Sequence, residues 1–142
     1  MVDWFLDQAC ECDVAVGTVN RDSAATEDLD CGRTWMRFKD AQVTGANLFA
    51  LRSDRVLPGL GFWQKIESHR KKPWRMAWEI GPGLLLRLLL KQIPFENAIS
   101  EIGHRLGLEA RALQIPYARA GVDVDKPSDH ALVESLLARA PG

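Results

Sequence analysis

The sequence lacks both of the glycine-rich motifs by which many α/β proteins cradle a nucleotide phosphate. Neither G-x-G-x-x-G nor G-x-x-x-x-G-K-[ST] occurs anywhere in its 142 residues. Closely spaced glycines occur in "GLGFW" and "GPGLLL", where the pattern is typical of turns. A phosphate site made by a local loop of either kind is therefore excluded from these residues.

Cysteine is scarce, and its spacing points to no bridge and no metal. Cys10, Cys12 and Cys31 are an odd number, and none of the histidines stands at metal-ligand spacing from them. Reduced thiols are typical of cytosolic proteins. We therefore predict a cytoplasmic protein with free cysteines.

An excess of one charge and long apolar runs are also missing. The formal net charge is −1 at pH 7 and the pI is about 6.3, so no general field attracts nucleic acid or an anionic membrane. The most apolar stretch, "IGPGLLLRLLLKQI", contains Arg87 and Lys91, whereas a membrane span needs about 20 nearly uninterrupted apolar residues. We predict a buried helix there, no membrane span and no nucleic-acid partner.

The sequence does contain enough apolar residues for one folded domain, because 46% are hydrophobic and 26% charged. Alternating, β-branched segments predict strands at 13–19, 34–38, 41–52 and 109–118. Helical spacing and proline or glycine stops predict helices at 1–9, 57–72, 73–80, 83–93, 95–107 and 127–140, and the polar stretch 20–32 predicts a loop. Strands and helices alternate, so the fold class is α/β, with a single domain over 1–142.

Two glycines carry specific predictions about the backbone. Gly45 interrupts the strand at 41–52, which indicates either a β-bulge or a close approach of another segment. Gly107 follows the helix at 95–107 as a C-terminal cap.

The stretch "GVDVDKPSDHALVESLL" places two carboxylates, Asp123 and Asp125, at the end of a strand-like run and directly before a helix. Alternate residues of an extended segment point to the same side, so both carboxylates can reach one point. Mg²⁺ is commonly held by one or two carboxylates together with substrate phosphates and water. The alternative is local, because acidic groups near a helix N-terminus are stabilised by its dipole. The spacing alone leaves both interpretations open.

The same residues carry a resemblance to a known family. "VDVDKPSDHALVESLL" resembles the C-terminal signature of the nucleotidyltransferase superfamily that includes the MobA-like NTP transferases, although His130 replaces the usual leucine. "TGANLFALR" is similar to the strand that lies beside the acceptor substrate in that family, with Gly45 and Asn47 on it. The segments "FWQKIESHRKKPW" and "GPGLLLRLLL" resemble the helical insert of one subgroup.

The resemblance implies a partial Rossmann-like, GT-A-like domain with a mixed sheet and flanking helices. It implies Mg²⁺-dependent transfer of an NMP from an NTP to a phosphorylated or sugar-like acceptor. Asp125 would be a metal ligand and Asp123 a second ligand or its support. Gly45 and Asn47 would line the acceptor side, and no catalytic base is assigned.

The resemblance also has a gap. The family holds its nucleotide with a glycine-rich loop after an early strand, and that part precedes the helix that "MVDWFLDQA" resembles. We therefore expect this chain to be the C-terminal portion of such a domain, inactive alone and prone to self-association through its missing sheet neighbours. Two alternatives stay open: a non-catalytic remnant or assembly module of the fold, and a metal-dependent glycosyltransferase using D-x-D.

The basic run "HRKKPWR" at 69–75 has three interpretations. Clustered basic and aromatic residues can bind nucleic acid, but cations also favour the C-terminal end of a helix. Contact with the phosphate of an acceptor is the third. With an acidic pI, the helix end is the preferred interpretation.

Overall fold

The computed structural model describes residues 1–27, 29, 34–69, 75, 79–124 and 127–138. Predicted helix 73–80 lies largely outside the described residues, as do Cys31, Lys71, Lys72 and Asp125. The helices are α1 (Val2–Gln8), α2 (Arg21–Thr26), α3 (Val56–His69), α4 (Pro82–Leu89), α5 (Phe95–Arg105) and α6 (Pro127–Ala138), with 3₁₀ turns at Ala9–Glu11 and Ala118–Gly121. The strands are β1 (Val14–Asn20), β2 (Met36–Arg37), β3 (Gln42–Leu51) and β4 (Ala110–Gln114).

The strands form one mixed sheet in the order β2-β3-β1-β4. β1 is antiparallel to β3 and parallel to β4, and β2 is antiparallel to β3. Helices flank this sheet, so the predicted mixed α/β architecture is confirmed at that level. β1 and β3 are the two interior strands. Four of the seven residues of β1 are buried.

Three sequence predictions need correction. The loop predicted at 20–32 contains α2, which Asn20 caps by accepting a hydrogen bond from the Asp22 N–H at 3.0 Å. The strand predicted at 109–118 is shorter, because Pro116 lies in a bend and a 3₁₀ turn follows it. The strand-like run before Asp125 is irregular at residues 122–124, so it extends the chain without joining the sheet.

The core occupies both faces of the sheet. Val19 and Val43 are both fully buried, yet Val43 is paired with Asn20, so the two valines point to opposite faces. Against one face pack Phe5, Ala9, Ala15, Ala24, Ile115 and Ala118. Against the other pack Phe95 and Ala112, beside a cluster of Leu84 from α4, Ala98 from α5 and Ile93 from the loop between them.

The α4 helix is buried along one side only. Leu84 is buried, whereas Leu86, Leu89 and Leu90 are each more than half exposed. The prediction that this apolar stretch is a buried helix is therefore wrong for its outer face. No helix in the described part of the chain is long and apolar enough to cross a membrane.

The end of α5 confirms the predicted cap at Gly107. Gly107 has φ +70°, and the N–H groups of Leu108 and Gly107 donate to the carbonyls of Gly103 and His104 at 2.9 and 3.1 Å. This pair of bonds is the Schellman arrangement, which satisfies the last helical carbonyls. The turn delivers the chain directly into β4.

Asp13 joins the start of β1 to two other segments. Its side chain is 10% exposed, and its Oδ2 accepts the N–H of Glu109 at 3.0 Å. The Ser53 hydroxyl beside it, the Glu109 N–H and the Arg55 charge together hold the pKa of Asp13 below its ordinary value. The carboxylate therefore stays ionised while it ties the start of β4 to β1.

The two described cysteines differ in environment. Cys10 is exposed and Cys12 is buried, and both are free thiols. Burial raises the pKa of the Cys12 thiol above its ordinary value, so its reactive thiolate form is disfavoured. The prediction of free thiols is confirmed for this pair.

Candidate functional site

A bulge in β3 sets the geometry of the candidate site. Val16 is paired with Phe49 and Thr18 with Gly45, so the three residues 46–48 stand opposite Gly17 alone. A Cβ on Gly17 would lie 3.1 Å from the Leu48 carbonyl oxygen and 2.9 Å from a methyl group of Ile115. Glycine is therefore needed at position 17 because the bulge presses against it.

Asn47 is at the centre of this bulge. Its φ is +50°, in the left-handed region that asparagine tolerates better than most residues. Its side chain is exposed, and its Nδ2 donates to Oδ2 of Asp123 at 2.8 Å. The left-handed turn thus directs an amide from β3 to the acidic segment near the end of the chain.

The position of Asp123 is fixed by the segment that precedes it. A Cβ on Gly121 would lie 3.2 Å from Thr44 Cγ2 and 3.3 Å from Val19 Cγ2, so the 3₁₀ turn at Ala118–Gly121 lies directly on β1 and β3. Glu27 accepts the N–H of Ala118 at 3.3 Å. Asp123 follows two residues after this anchored turn, beside the bulge.

Two of the predicted site segments are therefore brought together. Asn47 and Asp123, which are 76 residues apart in sequence, are hydrogen-bonded to each other. Gly45 is exposed on the same strand, and a Cβ there would meet nothing within 4 Å. Of the two interpretations of Gly45, the bulge beside it is confirmed, and within the described part of the chain no other segment makes the close approach. Asp125 lies outside the described residues.

The Asp123 carboxylate retains capacity for a cation. Its Oδ2 accepts from Asn47 and its Oδ1 accepts the N–H of Val124 at 3.0 Å. An ionised carboxylate offers about four lone-pair positions, so two are left, and the group is exposed. Within the described ranges, no three His, Cys, Asp or Glu residues are grouped as a metal site. This chemistry fits a hard cation held by few protein oxygens and completed by phosphate and water.

A second group of polar side chains lies where β1 and β4 end. The Nδ2 of Asn20 is 3.5 Å from Oε1 of Gln114, and Nη1 of Arg21 donates to Oε1 of Gln42 at 3.0 Å. Ligands of α/β proteins bind beyond the carboxyl ends of parallel strands. The sequence interpretation missed this group, and its signal was the capping residue Asn20 directly before α2.

An open groove of about 560 Å³ runs along the free side of β4. We call it the edge groove. It is lined by Glu96, Asn97, Ser100 and His104 of α5 and by Glu109, Ala110, Arg111, Ala112 and Leu113. It is separate from the contact between Asn47 and Asp123, because β1 lies between β3 and β4.

Comparison with known proteins supports a transferase-like fold. No protein-family model matches the chain, and no curated protein matches it. Among solved structures, a hypothetical transferase from Thermus thermophilus is similar, with 31% sequence identity and a TM-score of 0.76. The match covers 90% of this chain and 55% of that chain. The chain therefore spans about half the length of this neighbour and shares the fold of the matched part.

Proposed function

We propose that this chain carries the acceptor side of a MobA-like nucleotidyltransferase fold. The reaction of the complete fold is transfer of an NMP from an NTP to a phosphorylated or sugar-like acceptor. The observation that carries the proposal is the hydrogen bond between Asn47 and Asp123, since it joins the two segments on which the family resemblance rests. The structural likeness to a hypothetical transferase is consistent with this class of reaction.

In this proposal, Asn47 and Gly45 have different tasks. The Asn47 amide holds one oxygen of Asp123 and so fixes the direction of the carboxylate. Gly45 leaves open space on the exposed strand beside it, where an acceptor would lie without meeting a side chain. Proximity of this kind lowers the entropic cost of bringing reactants together.

Asp123 and Asp125 would hold Mg²⁺ together with the triphosphate. When bound, Mg²⁺ neutralises phosphate charge during nucleotidyl transfer. The protein's own contribution is to place the Asp123 carboxylate, which Asn47 and the Val124 N–H orient. Mg²⁺ usually keeps several water ligands and binds few protein groups. The exposed position of Asp123 leaves room for such water ligands.

The test is a titration with Mn²⁺ in the presence of each of the four NTPs in turn, and binding is measured as the loss of the spin-resonance signal of free Mn²⁺. We expect Asp123→Asn and Asp125→Asn each to weaken Mn²⁺ binding by about tenfold or more, because each removes a charged oxygen ligand. Asp129→Asn is the matched control from the first turn of α6. We expect this control to retain metal affinity and to lose about 1 kcal/mol of stability.

Two results would contradict the proposal. One is equal Mn²⁺ affinity in the parent, Asp123→Asn and Asp125→Asn. That result would mean that the two carboxylates have only a structural role, in the loop and at the start of α6. The chain would then be a non-catalytic module of the fold. The other is a loss of Mn²⁺ affinity in Asp129→Asn alone, which would mean that the cation binds at the first turn of α6.

A further inference from the structure

β4 is an edge strand with an open side. It is paired with β1 on one side, and no described residue is paired with the other. The N–H of Ile115 donates to the Thr18 carbonyl at 2.7 Å, and Glu109 accepts the N–H of Val14 at 3.1 Å. Backbone groups alternate in direction along a strand. The N–H and C=O groups of Ala110, Ala112 and Gln114 therefore point away from β1, and Ala110 and Ala112 line the edge groove.

The two sheet edges differ in how they are protected. β2, at the opposite edge, is only two residues long, and short edge strands discourage pairing with another chain. β4 is five residues long, contains no proline and pairs with β1 without a bulge. Such an edge is a template for an added strand.

The groove wall has an arrangement of polar side chains that is complementary to itself. Along α5, Glu96 and His104 stand equally far from Ser100, one on each side, and all three line the groove. Along β4, Ala112 is the middle residue of Ala110–Gln114. A two-fold axis through this centre would bring Glu96 of one copy towards His104 of the other. Self-complementarity of this kind is what an isologous dimer interface requires.

We propose that the edge groove is the interface of a symmetric dimer in which β4 pairs antiparallel with β4 of a second copy. Ala112 stands opposite Ala112 of the second copy, and Ala110 stands opposite its Gln114. Each outward-facing residue then donates its N–H and accepts through its C=O, which satisfies the edge of both copies. The sheet becomes continuous across the dimer, with the two α5 helices on the same face.

The second copy is favoured over a strand of unrelated sequence by the arrangement of the acid and the imidazole on α5. An unrelated strand would satisfy the β4 backbone equally well, but it would not explain an acid and a histidine placed symmetrically about Ser100. The proposal is independent of the proposed function. The Mn²⁺ titration tests Asp123 and Asp125, whereas the dimer proposal concerns β4 and α5.

The experiment is sedimentation velocity on the parent, Gln114→Pro and Gln114→Ala, at about 1 to 100 µM protein because dimerisation depends on concentration. Proline at 114 removes an N–H that points away from β1 at the open edge, while the bonds to β1 come from the neighbouring residues. Gln114→Ala keeps the N–H and loses only the side chain, including its contact with Asn20. Circular dichroism checks that all three proteins fold alike.

We expect the parent and Gln114→Ala to reach twice the chain mass of 15.9 kDa, and Gln114→Pro to stay at the monomer mass. A second pair of variants tests the symmetry: His104→Glu should weaken the dimer at least tenfold, and the double variant with Glu96→Lys should restore it. A monomeric parent at every concentration would overturn the proposal. So would a Gln114→Pro protein that still dimerises, or a parent that forms assemblies larger than a dimer.

Discussion

At the scale of single residues, Asn47 combines a strained backbone with a bond across the site. Asn47 and Lys91 are the non-glycine residues with positive φ in the described part of the chain. A left-handed backbone costs most L-residues about 1–2 kcal/mol, and such positions are often found at functional sites. The bond to Asp123 offsets part of that cost at Asn47.

We predict that Asn47→Ala is less stable than Asn47→Gly by about 1 kcal/mol, as measured by urea unfolding. Both variants lose the bond to Asp123, so their difference isolates the cost of a Cβ at φ +50°. Equal stability of the two variants would show that the bulge relaxes to another conformation once the asparagine is removed.

The second prediction at this scale concerns acid and Asp13. The pKa of Asp13 is lowered in the folded state from its ordinary value of 3.8. A lowered folded pKa stabilises the fold above the unfolded pKa, and that contribution is lost as pH falls through the folded value. We therefore expect Asp13→Asn to be less stable than the parent near neutral pH, with the gap closing below about pH 4.

Urea unfolding of both proteins at pH 7 and pH 3 measures this gap. Asp54→Asn is the control, because Asp54 is exposed and adjacent to the same turn. If the difference in the free energy of unfolding between the parent and Asp13→Asn is the same at both pH values, Asp13 acts through its shape and not through its charge.

At the scale of elements, the junction of α5 with β4 depends on Gly103. A Cβ at that position would lie 2.6 Å from the Ala110 Cβ and 2.9 Å from the Leu108 carbonyl oxygen. Both contacts are close to backbone, so neither can move away as a flexible side chain would. The helix packs this closely because residue 103 has no side chain.

We predict that Gly103→Ala lowers the free energy of unfolding by about 1–3 kcal/mol, the usual cost of overpacking. Gly83→Ala is the opposite case, since a Cβ there meets nothing within 4 Å and Gly83 lies inside α4. Alanine is favoured over glycine in a helix by about 0.5–1 kcal/mol. The midpoint of thermal unfolding should therefore fall in Gly103→Ala and rise in Gly83→Ala. A higher midpoint in Gly103→Ala would contradict the packing argument.

The elements also show what the sequence can and cannot reveal. Gly45 indicated the bulge because glycine interrupts an alternating strand, and Gly107 indicated the cap because it follows the helix directly. α2 was missed because its Asp and Ser residues favour turns in isolation. Its formation depends on Ala24, which is buried with Val19, and sequence periodicity over so short a segment does not reveal that contact.

The acidic segment was misread for a related reason. Alternation of valine and aspartate looks the same in a strand and in an irregular segment laid on a sheet. At Asp123 the constraint comes from Gly121 packed on Thr44 and Val19, which are distant in sequence. The sequence predicts that Asn47 and Asp123 belong to the same site. It does not predict their hydrogen bond, which depends on how the chain folds.

At the scale of the whole molecule, we predict that this chain alone does not catalyse nucleotidyl transfer. Phosphoryl transfer depends on groups placed around the triphosphate before reaction. No glycine-rich phosphate motif is present in the sequence, and the chain spans about half of the Thermus protein. The measurement is pyrophosphate release from each NTP with Mg²⁺ and a panel of sugar phosphates. Turnover would mean that residues assigned a structural role recognise the phosphates.

The position of β1 between β3 and β4 has a consequence for synthesis on the ribosome. Asp13 and Glu109, which bond where β1 meets β4, are 96 residues apart. At about 5–20 residues per second, β1 would wait roughly 5 to 20 seconds for its parallel partner to be made. β3 arrives sooner and covers one side, but the other stays uncovered in the meantime. Nascent chains that contain β3 but not yet β4 should therefore depend most on chaperones. Slowing translation between β3 and β4 should lower the soluble yield.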